Sequence, residues 1–240
     1  DIISEGKVNP VITEKGWQFS LDEGHRDPIL DVDYVVAIYK QTDPNYPGRA
    51  TIPVIVDVTT KKIVNNESQE IMQQLETNFM DFVKTDAPDL YPENLRTEID
   101  ALNAILLAEI NQGVYKIKGA KTQADYEKYF HIFFNRLDQL EARLADSRFL
   151  FGDQITDSDI RLYVSLARFD VAYYTTFRAN RNRLTDFPNL WRYAKELYQM
   201  PAFQETTNFD AIKKGFALNN LEGNPNQIVP LGPDTSIWDQ

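Results

Sequence analysis

The residues with the greatest chemical reach lie in two short stretches, Gly48-Arg49-Ala50-Thr51-Ile52-Pro53-Val54 and Val64-Asn65-Asn66-Glu67-Ser68. Pro53 has no N–H to give to a sheet ladder, so near the start of an apolar strand it leaves an acceptor free, and Ile52-Pro53 is a candidate cis bond. Backbone exposed in this way can pair with an extended peptide ligand as an added strand; an ordinary edge-strand proline would look the same. Glu67-Ser68 stands where a strand hands over to a helix. There Ser68 can cap the helix, free N–H groups of the first turn can bind a carboxylate, and Glu67 can hold an ammonium group. Asn-Glu-Ser before a helix also serves as a plain cap. Across a hairpin, the two stretches together suit a small peptide-like anion with an ammonium and a carboxylate on one carbon, as at the γ-glutamyl end of glutathione.

Other reactive side chains are sparse. Cysteine is absent, which removes disulfides, cysteine zinc sites and a thiol nucleophile from these 240 residues. His25 and His131 are the only histidines, too few and too far apart for a metal site, and neither a serine triad nor a glycine-rich phosphate loop is present. Tyr115, in Asn111-Gln112-Gly113-Val114-Tyr115-Lys116, sits where Gly113 should break a helix, and a phenol there could give a proton to a substrate or simply pack in a loop. Phe169, Tyr173 and Phe177 recur on one helical face, as core or as pocket lining. The pair Lys213-Lys214 reads as solvated.

Composition bounds the rest. Lys and Arg number 25 against 36 Asp and Glu, so a nucleic-acid backbone or an anionic membrane would on average be repelled. A hydrophobic content of 42% with 25% charged residues suits a folded protein, and no stretch is long and apolar enough for a membrane span. The N-terminus has neither a basic flank nor a signal-type apolar run, which reads as cytoplasmic. The chain opens at Asp1, with Met72 the first methionine, and reads as entered partway through a domain.

The elements that must position these residues follow from periodicity. Ile2 to Ile12 is β-branched and reads as extended, and Thr13 to Asn45 as a long excursion with isolated aromatics. Thr51 to Val58 reads as a strand, Thr59 to Lys62 as a turn and Ile63-Val64 as its hairpin partner, before a helix from Ser68 to Phe79 carrying Ile71, Leu75 and Phe79. Proline punctuation makes 84–92 a linker. Beyond it the pattern is helical. Ile99, Leu102, Leu106 and Ile110 mark one helix, and Tyr126, Phe130, Phe133, Leu137, Leu140 and Leu144 a second. Thr156-Asp157-Ser158-Asp159 forms a capping box between Ile155 and Ile160, a helix from Asn189 to Gln199 stops at Pro201, and the tail 219–240 should wrap the surface or be partly disordered.

This order of elements resembles a glutathione transferase: an α+β two-domain fold with a truncated thioredoxin-like α/β domain followed by an all-α domain. More narrowly, the chain is similar to the glutathionyl-hydroquinone reductases, the omega-like Xi class. The likeness rests on Gly16-Trp17-x-Phe19, Asp43-Pro44-x-Tyr46-x-Gly48-Arg49, Val64-Asn65-Asn66-Glu67-Ser68 and Asn111-x-Gly113-Val114-Tyr115-Lys116, then Asp159-Ile160-Arg161-Leu162, Arg168-Phe169-Asp170 and Ile228-Val229-Pro230-x-Gly232-Pro233. It implies a glutathione-binding domain at 1–83, a linker at 84–92, a helical domain at 93–218 and a tail at 219–240. It makes Trp17, Arg49, Ala50, Thr51, Ile52, Glu67 and Ser68 the glutathione contacts, Tyr115 the proton donor and Tyr173 an aid to lowering a thiol pKa.

Enzymes of this kind reduce glutathionyl-hydroquinones with a cysteine thiolate that becomes a mixed disulfide with glutathione, which a second glutathione resolves. The resemblance therefore implies glutathione as co-substrate, no metal, an aromatic quinone-type substrate, a homodimer, and neither nucleic-acid nor membrane partners. Two departures stand out. The family's nucleophile lies in a Cys-Pro-Trp-Ala type motif after the first strand, which here would precede Asp1, and Phe216 stands where a second pocket tyrosine is usual. The alternatives are a non-catalytic glutathione-transferase-like module that binds a ligand or a protein, and a purely structural helical domain.

Overall fold

The computed structural model describes residues 3–240, and divides the chain into two compact units, Asp1–Ala87 and Pro88–Gln240. In the first unit a two-stranded antiparallel hairpin joins β1 (Ile55–Asp57) to β2 (Lys62–Asn65), with Val56 opposite Ile63 and Asp57 opposite Lys62. The turn closes because the Asp57 carboxylate accepts the Thr59 N–H at 2.8 Å and the Thr60 hydroxyl at 2.9 Å, an arrangement that holds its pKa below the usual carboxylate value, the Thr59 bond being the largest cause. Helices α1 (Val35–Thr42) and α2 (Ser68–Thr77) flank the hairpin in sequence. The core of this unit is Phe19, Leu30, Val35, Ile38 and Tyr39, with Trp17, Tyr46, Ala50, Val54, Val56 and Ile63 packed against it.

Three sequence expectations are corrected here. Residues 3–12 form no strand, because Asn9 turns its side chain to local partners, the Val11 N–H at 2.9 Å and Ser20 Oγ at 3.0 Å, and Pro10 lacks an N–H; Ile2 lies outside the described residues. The excursion from Thr13 to Asn45 contains α1, whose buried Val35, Ile38 and Tyr39 fall at helical spacing. The strand anticipated over Thr51 to Val58 shortens to Ile55–Asp57, and in the helix that follows Ile71 is buried while Leu75 is exposed.

The second unit is helical. After α3 (Arg96–Ile105) come a π-helical segment (Leu106–Asn111), α4 (Gly113–Gly119) and the long α5 (Gln123–Arg143). Then α6 (Asp157–Arg168) runs into a second π segment (Phe169–Tyr173) and the short α7 (Tyr174–Thr176), followed by α8 (Pro188–Tyr198), α9 (Pro201–Gln204) and α10 (Phe209–Leu218). The apolar stripes meet in one core that includes Ile110, Val114, Phe133, Leu137, Leu162, Phe169 and Tyr193. No helix among the described residues is long and apolar enough to cross a membrane.

The entry to α6 holds this core together. Thr156 and Asp159 make a capping box, with the Thr156 N–H and hydroxyl both donating to Asp159 Oδ2, at 2.8 and 2.9 Å. At the far end the tail is anchored: Trp238 is buried against Trp191, Tyr198 and Phe209. Lys213, read from sequence as solvated, instead donates from Nζ to the carbonyls of Leu231 at 2.6 Å and Pro233 at 3.3 Å, because the returning tail offers it unpaired carbonyls; Lys214 pairs with Asp210 at 2.7 Å.

Candidate functional site

In the first unit the loop Gly48–Pro53 and the turn Asn65–Ser68 are joined through one buried phenol. The Tyr39 hydroxyl donates to the Thr51 carbonyl at 3.0 Å and lies 3.1 Å from the Thr51 hydroxyl, while Asn66 Nδ2 donates to Tyr39 Oη at 3.0 Å. Tyr39 is 3% exposed and its ring stands 4.8 Å from that of Tyr46, which fills the space beside Gly48: a Cβ there would come within 2.8 Å of the Tyr46 oxygen. The sequence reading missed Tyr39 and the tie from Asn66. The signal was present in the spacing of Val35, Ile38 and Tyr39, which places Tyr39 on the buried face of a helix.

This tie carries an exposed rim. Arg49, Thr51, Ile52, Glu67 and Ser68 are all exposed, and Trp17 and Ala50 are partly buried against the core beneath. The Ile52-Pro53 bond is cis, and the N–H and carbonyl of Ile52 make no hydrogen bond among the described residues. Neither Arg49 nor Glu67 is in an ion pair among these residues. The rim thus offers one cation, one carboxylate, a free main-chain donor and acceptor, and a helix start.

Ser68 does not cap that helix. Asn65 Oδ1 accepts the Glu67 N–H at 2.8 Å, which turns the chain into the helix one residue early, so Glu67 is the N-cap and Ser68 the first helical residue. No side chain caps α2, and its first-turn N–H groups stay available to an outside acceptor. Tyr39→Phe keeps the packing but removes the link between loop and turn; it should cost about 1–2 kcal/mol, read as a lower midpoint in urea.

In the second unit Tyr115, Tyr173, Phe177 and Phe216 form an aromatic cluster. Tyr115 lies 4.9 Å from Phe177 and 6.4 Å from Tyr173, edge to face in both cases; Tyr173 stacks on Phe177 at 5.3 Å; and Phe216 of α10 lies 5.5 Å from both. Tyr173 is 3% exposed and Tyr115 is 49% exposed, so one phenol is interior and the other opens outward. The sequence placed Tyr115 past a break at Gly113. Instead Gly113 is buried, begins α4, and follows a π turn closed by the Gln112 N–H on the Leu107 carbonyl at 2.9 Å. The extra residue of that turn is absorbed without ending the helix, and it sets the direction of Tyr115.

Burial is the largest cause raising the pKa of both tyrosines above the ordinary 10.0; for Tyr115 the charge of Arg168 and a hydrogen bond from Tyr173 oppose it. Both phenols are therefore neutral, proton-bearing groups at physiological pH. Among the described residues no cluster of His, Asp or Glu could hold a metal ion.

Residues 123–196 match the family model for the glutathione S-transferase C-terminal domain. The chain is 38% identical over 233 residues to glutathionyl-hydroquinone reductase YqjG of Escherichia coli (strain K12), covering 96% of this chain and 71% of the relative, a glutathione-bound structure of which has been solved. A glutathione transferase from Gordonia bronchialis DSM 43247 superposes with a TM-score of 0.96 at 38% identity, over 99% of this chain and 74% of that one. The glutathione S-transferase Xi of Phanerochaete chrysosporium superposes at 0.90 with 39% identity, over 95% and 75% of the two chains. The chain has the glutathione transferase fold and belongs to the glutathionyl-hydroquinone reductases, the Xi class of that family.

Proposed function

We propose that this protein reduces glutathionyl-hydroquinones with glutathione as co-substrate, through a cysteine that lies outside the 240 residues. The α-amino and carboxylate groups of the γ-glutamyl end sit between Glu67 and the start of α2, the Ile52 main chain pairs with the peptide, and Arg49 neutralises a carboxylate. The assignment of 1–83 as the thioredoxin-like glutathione-binding domain, 84–92 as the linker and 93–218 as the helical domain belongs to the same reading. So do a homodimer and a cytoplasmic location, the former checked by light scattering on the purified protein.

The chemistry is a displacement at sulfur. A cysteine thiolate attacks the glutathione sulfur of the thioether, the carbon–sulfur bond to the ring breaks, and Tyr115 gives its proton to the ring carbon that keeps the electron pair. Hydroquinone leaves, and a second glutathione thiolate releases glutathione disulfide and restores the cysteine. Tyr173, held neutral, serves as a hydrogen-bond donor to the charged species.

An unpaired sheet edge supports the reading in which the cysteine lies outside these residues. Among the described residues the edge of β1 away from β2 is unpaired, and it borders an apolar hollow of about 440 Å³ lined by Phe19, Ile38, Val54, Val56, Ile71 and Leu75. A sheet edge beside apolar side chains is a seat for one more strand. A polypeptide carrying such a strand and a Cys-Pro motif, assayed on glutathionyl-menadiol, should release menadiol in a cysteine-dependent way; absence of such a motif from the coding sequence upstream of Asp1 would sink the proposal.

The absence of cysteine in the chain favours a second reading, a non-catalytic module that binds glutathione or a protein. Calorimetric binding of glutathione by the longer polypeptide, with no mixed disulfide by mass spectrometry, would select it.

Tyr115→Phe should lower kcat by about 10²- to 10³-fold with little change in KM, since a positioned proton donor acts on the reacting bond. The pH sign follows from the raised pKa. The donor is protonated at and below pH 10.0, and its contribution is lost only as the pH rises through the higher folded value. The wild-type alkaline limb attributable to Tyr115 should therefore lie above that of free tyrosine and vanish in Tyr115→Phe.

A further inference from the structure

A lysine or arginine near a helix C-terminus ordinarily finds a carbonyl or a carboxylate, and most of this chain follows that habit. Lys116 Nζ donates to the Ala108 carbonyl at 3.0 Å, Lys213 Nζ donates to the Leu231 carbonyl at 2.6 Å, and Lys214 pairs with Asp210. Three cations of the second unit behave differently. Lys118 in the last turn of α4, Lys121 just beyond it, and Arg178, one residue past the C-cap of α7, line a single hollow of about 710 Å³. Among the described residues none of these three side chains is in a hydrogen bond or an ion pair. In a chain where 36 acidic residues outnumber 25 basic ones, carboxylate partners are in excess, so three cations left without one in a shared hollow need a reason.

Two of the three are held in place. Lys118 Nζ sits 5.0 Å from the centre of the Phe177 ring, and the Arg178 guanidinium 5.5 Å from that of Tyr126. A cation on a ring face is positioned without using its N–H groups, which stay free for an anion. Arg178 also carries backbone strain. Its φ of 59° is left-handed, a conformation in which glycine is the usual residue after a helix end. Tyr126 steadies both ends of it, since the hydroxyl of the same ring donates to the Arg178 carbonyl at 2.9 Å. Strained residues cluster at ligand clamps, and here the strained residue brings a guanidinium to the hollow. Thr176 and Asn220 add to the lining a hydroxyl and an amide that make no hydrogen bond among the described residues. Glu222 is the one carboxylate in the lining, so three cations against it leave an excess of two positive charges.

We propose that this hollow binds a small molecule bearing two or more oxyanions, a polyphosphate or a polycarboxylate, with Arg178 as the forked clamp and Lys118 and Lys121 as point charges. Its volume is that of a small-molecule site, and its lining shares no residue with the rim around Arg49 and Glu67. An anion held there ties the end of α4 to Arg178 and to the tail segment 220–224, so its binding raises the thermal midpoint.

Isothermal titration of the 240-residue protein tests the site, with pyrophosphate in one arm and citrate in the other, at constant ionic strength so that screening is not read as binding. The expected result is one-site binding of at least one of them with Kd below about 1 mM, and a parallel rise in Tm. Arg178→Gly relieves the left-handed backbone, so it should keep stability while weakening binding roughly tenfold, the scale of one charge-assisted hydrogen bond at a partly exposed position. Lys118→Met keeps an apolar stem against Phe177 and should weaken binding by a similar factor. Glu222→Gln should tighten it, because a repelling charge is removed. Lys214→Met takes away a positive charge outside the hollow and should leave the affinity unchanged.

Tighter binding of pyrophosphate assigns the hollow to phosphate compounds and tighter binding of citrate to polycarboxylates; either supports the site. Binding of neither anion overturns it. So does an equal loss of affinity in Lys214→Met and Arg178→Gly, which would show a response to net charge alone.

Discussion

Replacing Asp159 with alanine should cost about 3–5 kcal/mol of stability, the largest single loss expected anywhere in the chain. Asp159 is fully buried and its carboxylate accepts four hydrogen bonds: from the Leu150 N–H at 2.9 Å, the Thr156 N–H at 2.8 Å, the Thr156 hydroxyl at 2.9 Å and the Tyr193 hydroxyl at 2.8 Å. Alanine leaves all four donors without their acceptor in a region closed to water. Each stranded donor costs on the order of 1–3 kcal/mol, partly relieved by relaxation. A urea titration followed by circular dichroism gives the number, and a loss below about 1 kcal/mol would show that the network is not what holds α6 in place.

The charge on Asp159 adds a pH dependence with a definite sign. Burial, the largest cause, raises its pKa above 3.8 in spite of the four donors. A raised folded pKa means that the contribution of this group is complete below pH 3.8 and falls as pH rises through the folded value. Asp159→Asn removes that limb, at the expense of turning an amide donor toward other donors.

Glu67→Gln should do the opposite: leave the fold alone and weaken glutathione binding by roughly 10- to 150-fold, the equivalent of about 1.5–3 kcal/mol for a hydrogen bond to a charged group. The Glu67 side chain is exposed and makes no ion pair among the described residues, so its removal should alter stability by no more than about 0.5 kcal/mol. What remains is its interaction with the ligand ammonium. Isothermal titration with glutathione and a urea titration, run on the same variant, separate the two quantities. Unchanged affinity would remove Glu67 from the site and favour a structural role for the turn.

How much of this could be read from sequence depended on whether an element is built from local patterns. The hairpin and the start of α2 were legible because Asp57, Thr59 and Thr60 close a turn by their own side chains. The capping box at Thr156 and Asp159 was legible for the same reason. The β-branched run from Ile2 suggested an extended segment fit for a sheet, but such residues favour sheet only where a partner strand exists, and over 3–12 the Asn9 side chain bonds Val11 and Ser20 instead. The two π segments left no local signal. Without them Tyr115 was placed past a helix break, when it sits within α4, which follows the first π segment directly. Tyr39 was legible as a buried helical residue, but its hydroxyl reaches Thr51 and Asn66 only through tertiary folding.

The rim residues Arg49, Thr51, Ile52, Glu67 and Ser68 were named from motif and resemblance. The structure adds the frame beneath them, in Tyr39 and Asn66, and moves the helix cap from Ser68 to Glu67. The aromatic pair Tyr115 and Tyr173 was named likewise, and the structure brings Phe177 and Phe216, both singled out from the sequence, against it.

The most direct test is mass spectrometry, after a single turnover with glutathionyl-menadiol, of a polypeptide that joins these residues to the proposed cysteine-bearing strand. The expected result is one glutathione bound to the protein through a disulfide, appearing together with one equivalent of free menadiol and disappearing when glutathione is added. Release of menadiol with no glutathione adduct, or an equally fast reaction after the cysteine is replaced by serine, would contradict it.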